Sequence, residues 1–239
     1  MFSTLLTPRR PQDPQNVAAD RSTSALDHRQ RLTISAIYDL PFFKQSNWMM
    51  RNLVGNWEIA PIYTFESPEY ATVQSAQNSN LAGDTFPTRA IFNPQGTAGV
   101  GSGVNPLTNS QGQIVGYVAN NPNAQYIVAG VGALSNASRN TLALPRTNNW
   151  DLSVVKRVGI NDRMSFEFLA QAYNVFNHSQ YVPGSINQIN AVGLIGQPLD
   201  FTTTATRNFL TPSSPTFDKP NLVFPNNART MQLGAKFIF

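Results

Sequence analysis

The sequence predicts an all-β fold of antiparallel, up-and-down strands, and three observations carry that prediction. The first is the final stretch, Arg229 to Phe239, which reads R-T-M-Q-L-G-A-K-F-I-F. Met231, Leu233, Ala235, Phe237 and Phe239 alternate with Thr230, Gln232, Gly234, Lys236 and Ile238. A period of two belongs to a strand with one apolar face and one mostly polar face. Its length matches a tilted strand that crosses a bilayer, about 9–11 residues. The second observation is composition: only 13% of the 239 residues are charged, against roughly 25% in an average soluble domain. Uncharged polar residues replace the missing charge, while aromatics stand at 10%, which suits polar loops between amphipathic strands. The third is the alternation of short and long connections between strands. Together they describe a partial transmembrane β-barrel with long external loops.

Taken in order, residues 1–26 are polar and carry Pro8, Pro11 and Pro14, so they read as a loop. A first strand is expected near 29–40. Leu32, Ile34, Ala36, Tyr38 and Leu40 form one face, opposite Arg31, Thr33, Ser35, Ile37 and Asp39. Pro41 ends it by removing a ladder donor. Residues 42–52 form a short connection. A second strand is expected near 53–66, with Trp57, Ile59, Tyr63 and Phe65 opposite Glu58, Ala60, Ile62, Thr64 and Glu66. Pro61 sits inside it and predicts a bulge or a local break.

Residues 67–149 form a long loop rich in Asn, Gly, Pro, Ser and Gln, with Tyr117 to Val131 its best candidate for local order. Such a connection is too long for a compact soluble domain but normal between barrel strands. A third strand follows near 150–158, a tight turn at 159–162, and a fourth strand near 163–176. There Met164, Phe166, Phe168, Ala170, Ala172 and Phe176 oppose Ser165, Glu167, Gln171 and Tyr173. Residues 177–228 form the second long loop, and 229–239 the terminal strand. If the chain ends at the inner side, both short connections also fall inside and both long loops outside, the asymmetry of barrels.

Several function classes find no support. No window of 18 apolar residues marks a transmembrane helix. Net charge is +4, but Arg9-Arg10 and Lys156-Arg157 are the longest basic runs, so no nucleic-acid footprint is expected. With no cysteine, thiolate metal sites and disulfides are excluded. His28 and His178 are expected to serve local structure rather than bind metal. No G-x-S-x-G nucleophile elbow occurs, so no enzyme and no cofactor are predicted. Gly96 to Gly103, G-T-A-G-V-G-S-G, lacks a phosphate-binding lysine and reads as a flexible loop.

The two strand faces give the candidate site. If the apolar faces meet lipid, Glu58, Glu66, Asp151, Glu167, Gln171, Gln232 and Lys236 line the lumen. They would contact a plug or a passing solute, or simply solvate and pair across strands, for example Glu167 with Lys236. Trp150, Phe166, Phe168, Leu233, Phe237 and Phe239 face lipid or anchor the strand ends as aromatic girdles do.

Three segments carry a family resemblance: Ser138 to Arg157 (S-R-N-T-L-A-L-P-R-T-N-N-W-D-L-S-V-V-K-R), Arg163 to His178 with F-E-F-L-A-Q-A-Y-N-V-F-N-H, and Asp27 to Pro41 followed by G-N-W-E-I-A at Gly55 to Ala60. Together with the aromatic end, they resemble the carboxy-terminal strands of TonB-dependent-receptor-like, Oar-like outer-membrane proteins. The resemblance implies the bacterial outer membrane, lipid around the strands, and recognition of the terminal strand by the barrel-assembly machinery. It implies a barrel of about 22 strands around a plug, and uptake of a bulky solute. With five predicted strands, no plug, no TonB box and no signal peptide, the sequence is expected to be a carboxy-terminal fragment. TonB would then act only through amino-terminal parts absent from it. A surface adhesion or secretion-linked barrel is the alternative expectation. A soluble secreted carbohydrate-binding β-sandwich is the second.

Overall fold

The computed structural model describes residues 11–24, 27–75, 88–161, 163–181, 208–224 and 226–239. Two compact units interleave along the chain. One comprises Arg29–Ser67, Arg146–Gln180 and Asn226–Phe239, and is a sheet. The other comprises Met1–His28, Pro68–Pro145 and Tyr181–Pro225, and so gathers the amino-terminal segment with both long connections.

In chain order, β1 (Arg31–Ser35) and β2 (Tyr38–Asp39) precede helix α1 (Trp48–Leu53) and β3 (Trp57–Glu66). The first long connection holds β4 (Tyr70–Ala71), β5 (Ile91–Phe92), β6 (Thr97–Ser102), β7 (Val104–Thr108), β8 (Ile114–Ala119), β9 (Ala124–Ile127) and β10 (Leu142–Ala143). The chain continues with β11 (Thr147–Gly159) and β12 (Ser165–Tyr173). Helix α2 (Pro220–Val223) and β13 (Thr230–Ile238) complete it.

The sheet runs in the order β1-β3-β11-β12-β13, with β2 beside β3. Every pairing in it is antiparallel. This is the up-and-down arrangement expected, with each strand beside its sequence neighbour although long segments intervene. Strand bounds differ from the sequence reading mainly at the ends. The first strand divides into β1 and β2, the second begins at Trp57 rather than 53, the third begins at Thr147, and the fourth stops at Tyr173. Phe176 therefore leaves the strand face and packs edge-on against Trp150, with ring centroids 6.2 Å apart.

Pro61 produces the local break and no bulge. β3 keeps one register with β11 from Lys156↔Trp57 to Thr147↔Glu66. The Ala36 N–H donates to the Pro61 carbonyl at 3.2 Å. The missing proline donor therefore points at β1 and β2, and the ladder is interrupted there, between Ser35 and Tyr38.

The short connection before β3 holds α1, a helix too short for periodicity to mark. Asn47 caps it by accepting from the Met50 N–H at 2.9 Å. Asn52, buried, grips the far end of β11: its Nδ2 donates to the Gly159 carbonyl at 3.1 Å, and its Oδ1 accepts the Gly159 N–H at 2.9 Å. The Trp48 indole N–H donates to the same carbonyl at 3.1 Å. The tight turn after β11 is closed by Asn161, whose side chain accepts from the N–H groups of Arg163 and Met164.

The two long connections, read as polar loops, fold into one unit. Its core combines Ala71, Val73, Ala90, Tyr126, Leu142 and Leu144 from the first with Phe209, Leu210 and Phe217 from the second. β9 pairs antiparallel with β5 and parallel with β6, and β7 and β8 form a hairpin. The stretch 117–131 expected to be ordered contains the end of β8 and all of β9. Within the glycine run at 96–103, Thr97–Ser102 forms β6 rather than a flexible loop. A Cβ at Gly101 would lie 2.5 Å from the Pro212 carbonyl oxygen and 2.6 Å from the Phe217 ring, so the two connections approach too closely there for a side chain. A buried ion pair between Arg89 and Asp20 joins the amino-terminal segment to this unit. Burial and the charge of Arg139 pull Arg89 down to about 10.

Asp218 in this unit has φ 50, and burial raises its carboxyl above the ordinary 3.8. A folded-state pKa above the unfolded value makes ionisation oppose folding. Stability is therefore full below the unfolded pKa and falls as pH rises through the folded one. Asp218→Asn, which tolerates the same backbone, is expected to stabilise the unit at neutral pH. The gain should shrink on acidification, read as the pH dependence of protease resistance. A gain that grows on acidification would contradict this.

Candidate functional site

Residues opposite each other in an antiparallel register project to the same side. From β1 to β13 this places Arg31, Thr33, Glu58, Thr64, Glu66, Asn149, Asp151, Ser153, Arg157, Glu167, Gln171, Gln232 and Lys236 on one face. All seven predicted polar-face residues are therefore together. The other face carries Leu32, Ile34, Trp57, Ile59, Tyr63, Trp150, Leu152, Val154, Phe166, Phe168, Met231, Leu233 and Phe237. Phe239 continues its alternation. Leu233 and Phe239 are 78% and 92% exposed. A soluble protein rarely leaves a contiguous apolar surface of this kind uncovered.

Charge on the polar face concentrates at the two strand ends. At the α1 end, Arg157 is the hub. Its Nη2 donates to Glu58 Oε2 at 2.7 Å and its Nε to Glu167 Oε2 at 3.1 Å, and Nη1 lies 3.7 Å from Asp39 Oδ1. Glu167 also faces Lys236 directly across β12 and β13. The expected Glu167–Lys236 neighbours are thus part of a wider belt, in which Arg157 is the cation bonded to Glu167. At the opposite end, Arg31 and Glu66 pair at 2.9 Å. Between the ends lie Ala60, Ser153, Leu169, Gly234 and the opposed pair Gln171 and Gln232.

Arg157 continues the alternation of Asp151, Ser153 and Val155 along β11. The same alternation puts Lys156 on the apolar face, where it is nearly buried. Its ammonium lies 5.0 Å from the centre of the Trp57 ring and donates to the Gly55 carbonyl. A charge on an apolar face near a strand end reaches back to polar partners in this way.

Aromatic side chains mark both ends of the apolar face. Trp150 tilts against Tyr63, its register partner, with centroids 4.6 Å apart. At the α1 end, Phe166 contacts Phe168 and Phe237, at 6.2 and 4.9 Å, and Phe237 stacks on Phe239 at 5.9 Å.

A polar clasp closes the sheet at the Trp150 end. Asn174, buried and at φ 53, donates through Nδ2 to the carbonyls of His178 and Asn227, and accepts from the His178 N–H. Asp151 accepts from the Asn174 N–H at 2.9 Å and from Asn149. Gln180 bonds both backbone groups of Asn148, and Asn177 accepts from the Arg229 N–H. Asp151 thus serves the clasp. His178 Nδ1 meets Gln180 at 2.6 Å, and His28 meets Glu69 at 3.2 Å. Asn174→Ala is expected to lower stability by about 1–3 kcal/mol, since buried partners lose their bonds. A urea titration in detergent micelles measures it.

Strands of 9 to 13 residues from β3, β11, β12 and β13, one polar face, one exposed apolar face and aromatic ends define a membrane-spanning β-sheet protein. The family comparison gives the same class. The chain belongs to the outer membrane beta barrel domain family, whose model matches residues 3–209. It is a protein of the bacterial outer membrane. No curated protein and no solved structure matches it.

Proposed function

We propose that the sheet is a carboxy-terminal sector of a wider, TonB-dependent outer-membrane barrel that imports a bulky solute, with no enzymatic role. The polar face carries this reading. Its charge is gathered at the ends, and small and amide side chains lie between with Ile62, Val155 and Leu169 among them, and the ring of charge suits a water-filled lumen. In such a barrel Glu58, Arg157, Glu167 and Lys236 meet the plug or the passing solute. Among the described residues, β1 and β13 are the edges of the sheet, and lipid cannot satisfy the backbone groups of a strand edge. Further strands on both edges would remove that cost, and the barrel-assembly machinery would engage β13. The resemblance of the strand segments to TonB-dependent receptors supplies the energy coupling.

The folded unit built from the long connections favours a second reading, a surface adhesion or secretion-linked barrel. That unit holds a groove of about 440 Å³ lined by Ile114, Tyr117, Ile127 and Val131 among others. Both readings are tested by deleting the gene and measuring accumulation of metal chelates, oligosaccharides and peptides, with and without TonB. The transport reading expects one solute class to be lost in both strains. Unchanged accumulation together with lost surface attachment would favour adhesion.

A further inference from the structure

α1 and its flanking turns expose more apolar surface than a strand connection needs. Phe42, Phe43, Trp48, Met49, Leu53 and Val54 are all exposed, Leu53 at 68%. Two cations, Lys44 and Arg51, are exposed among them. The segment is nevertheless held in place. Asn52 grips both backbone groups of Gly159, and the Trp48 indole N–H is bonded to the same residue. Gly55 is packed so closely that a Cβ would lie 2.8 Å from the Arg51 carbonyl oxygen and 2.9 Å from that of Phe42. The exposed apolar side chains are therefore presented by a fixed scaffold.

The position of α1 says what covers them. Its exit turn receives the Lys156 ammonium at Gly55. Lys156 belongs to the apolar face, in register with Trp57 and Phe168. The exit turn of the segment thus meets the apolar face at its α1 end, beside Trp57. Apolar and aromatic side chains mixed with cations, at that end, match the boundary between acyl chains and anionic headgroups.

We propose that α1 with its flanking turns is an interfacial anchor, seated in the headgroup layer of the bilayer with phospholipid as its partner. Trp48, Met49 and Leu53 enter the acyl boundary, and Lys44 and Arg51 meet the phosphates. The anchor fixes the depth of β3 and β11 in the membrane. It rests on the reading that the sheet's apolar face meets lipid, so its test reports on both.

Two single-tryptophan forms of the full chain separate the outcomes. One keeps Trp48, with Trp57 and Trp150 replaced by Phe; the other keeps Trp150. Each is inserted into phosphatidylethanolamine–phosphatidylglycerol vesicles brominated either near the headgroup or near the chain end. Trp48 emission is expected to be quenched several-fold more by shallow than by deep bromine, with Trp150 also quenched. In the Trp48 form, Met49→Glu with Leu53→Glu should abolish the Trp48 quenching and shift its emission red, while the strand signal in circular dichroism persists. Quenched Trp150 beside water-like, unquenched Trp48 overturns the anchor and leaves the sheet reading standing. Quenching of neither overturns both. Trp48 quenching unchanged by the two glutamates also overturns the anchor.

Discussion

Val154→Arg will block stable insertion of the sheet, at about 2–4 kcal/mol for a charge near the bilayer midplane on the lipid face. Its row explains the choice. Val154 stands opposite Ile59 on one side and Ala170 on the other, and Ala170 stands opposite Leu233. No charge lies in that row, and the aromatic rims lie on either side of it along the strands. Phe168 is the obvious target from sequence alone, but the register sets it opposite Lys156. Phe168→Arg therefore adds charge where the apolar face already carries one, and is expected to cost less. Glu167→Gln, on the other face, removes a half-exposed ion pair and should change insertion least. Flotation of vesicles after refolding measures all three. Equal losses for Val154→Arg and Glu167→Gln would contradict the assignment of faces.

The sheet was legible because a face imposes a rule on every second residue. Met231 to Phe239 and Phe166 to Ala172 keep an apolar residue at every second position, so their strands and faces follow from alternation although Leu169 and Ile238 fall on the polar side. Where a single residue breaks the rule for a specific partner, sequence reading stops short. Lys156 looks like the end of an apolar face; in the structure it is retained by Trp57 and the Gly55 carbonyl. α1 has six residues, fewer than two turns, and is held by Asn52 on Gly159, a contact 107 positions away in sequence. Neither periodicity nor propensity reports such a contact. The site divides the same way. The polar-face residues were found because they alternate. Arg157 as their hub, and the Asn174 clasp, depend on which strands become neighbours.

The largest departure from the sequence reading concerns the long connections, and Phe209→Ala tests it. The core residues there come in ones and twos far apart in sequence, so no sustained pattern announces them. The core still closes: Phe209 is fully buried and meets Phe224 edge-on at 4.9 Å. Tyr126 meets Phe92 at 5.5 Å and Phe217 at 6.0 Å. The Gln74 N–H donates to the Leu210 carbonyl at 3.0 Å, joining one connection to the other. Removing the ring leaves a cavity in a core with few alternatives, and about 3–5 kcal/mol of stability is expected to be lost. Because both connections share that core, protection should fall together in residues 88–144 and 208–224. Hydrogen exchange and limited proteolysis of the chain in detergent micelles would show this, with β11 to β13 still protected. If the two connections were independent loops, Phe209→Ala would loosen residues 208–224 alone. Loss confined to that segment would separate the connections, and with them the folded platform on which the adhesion reading rests.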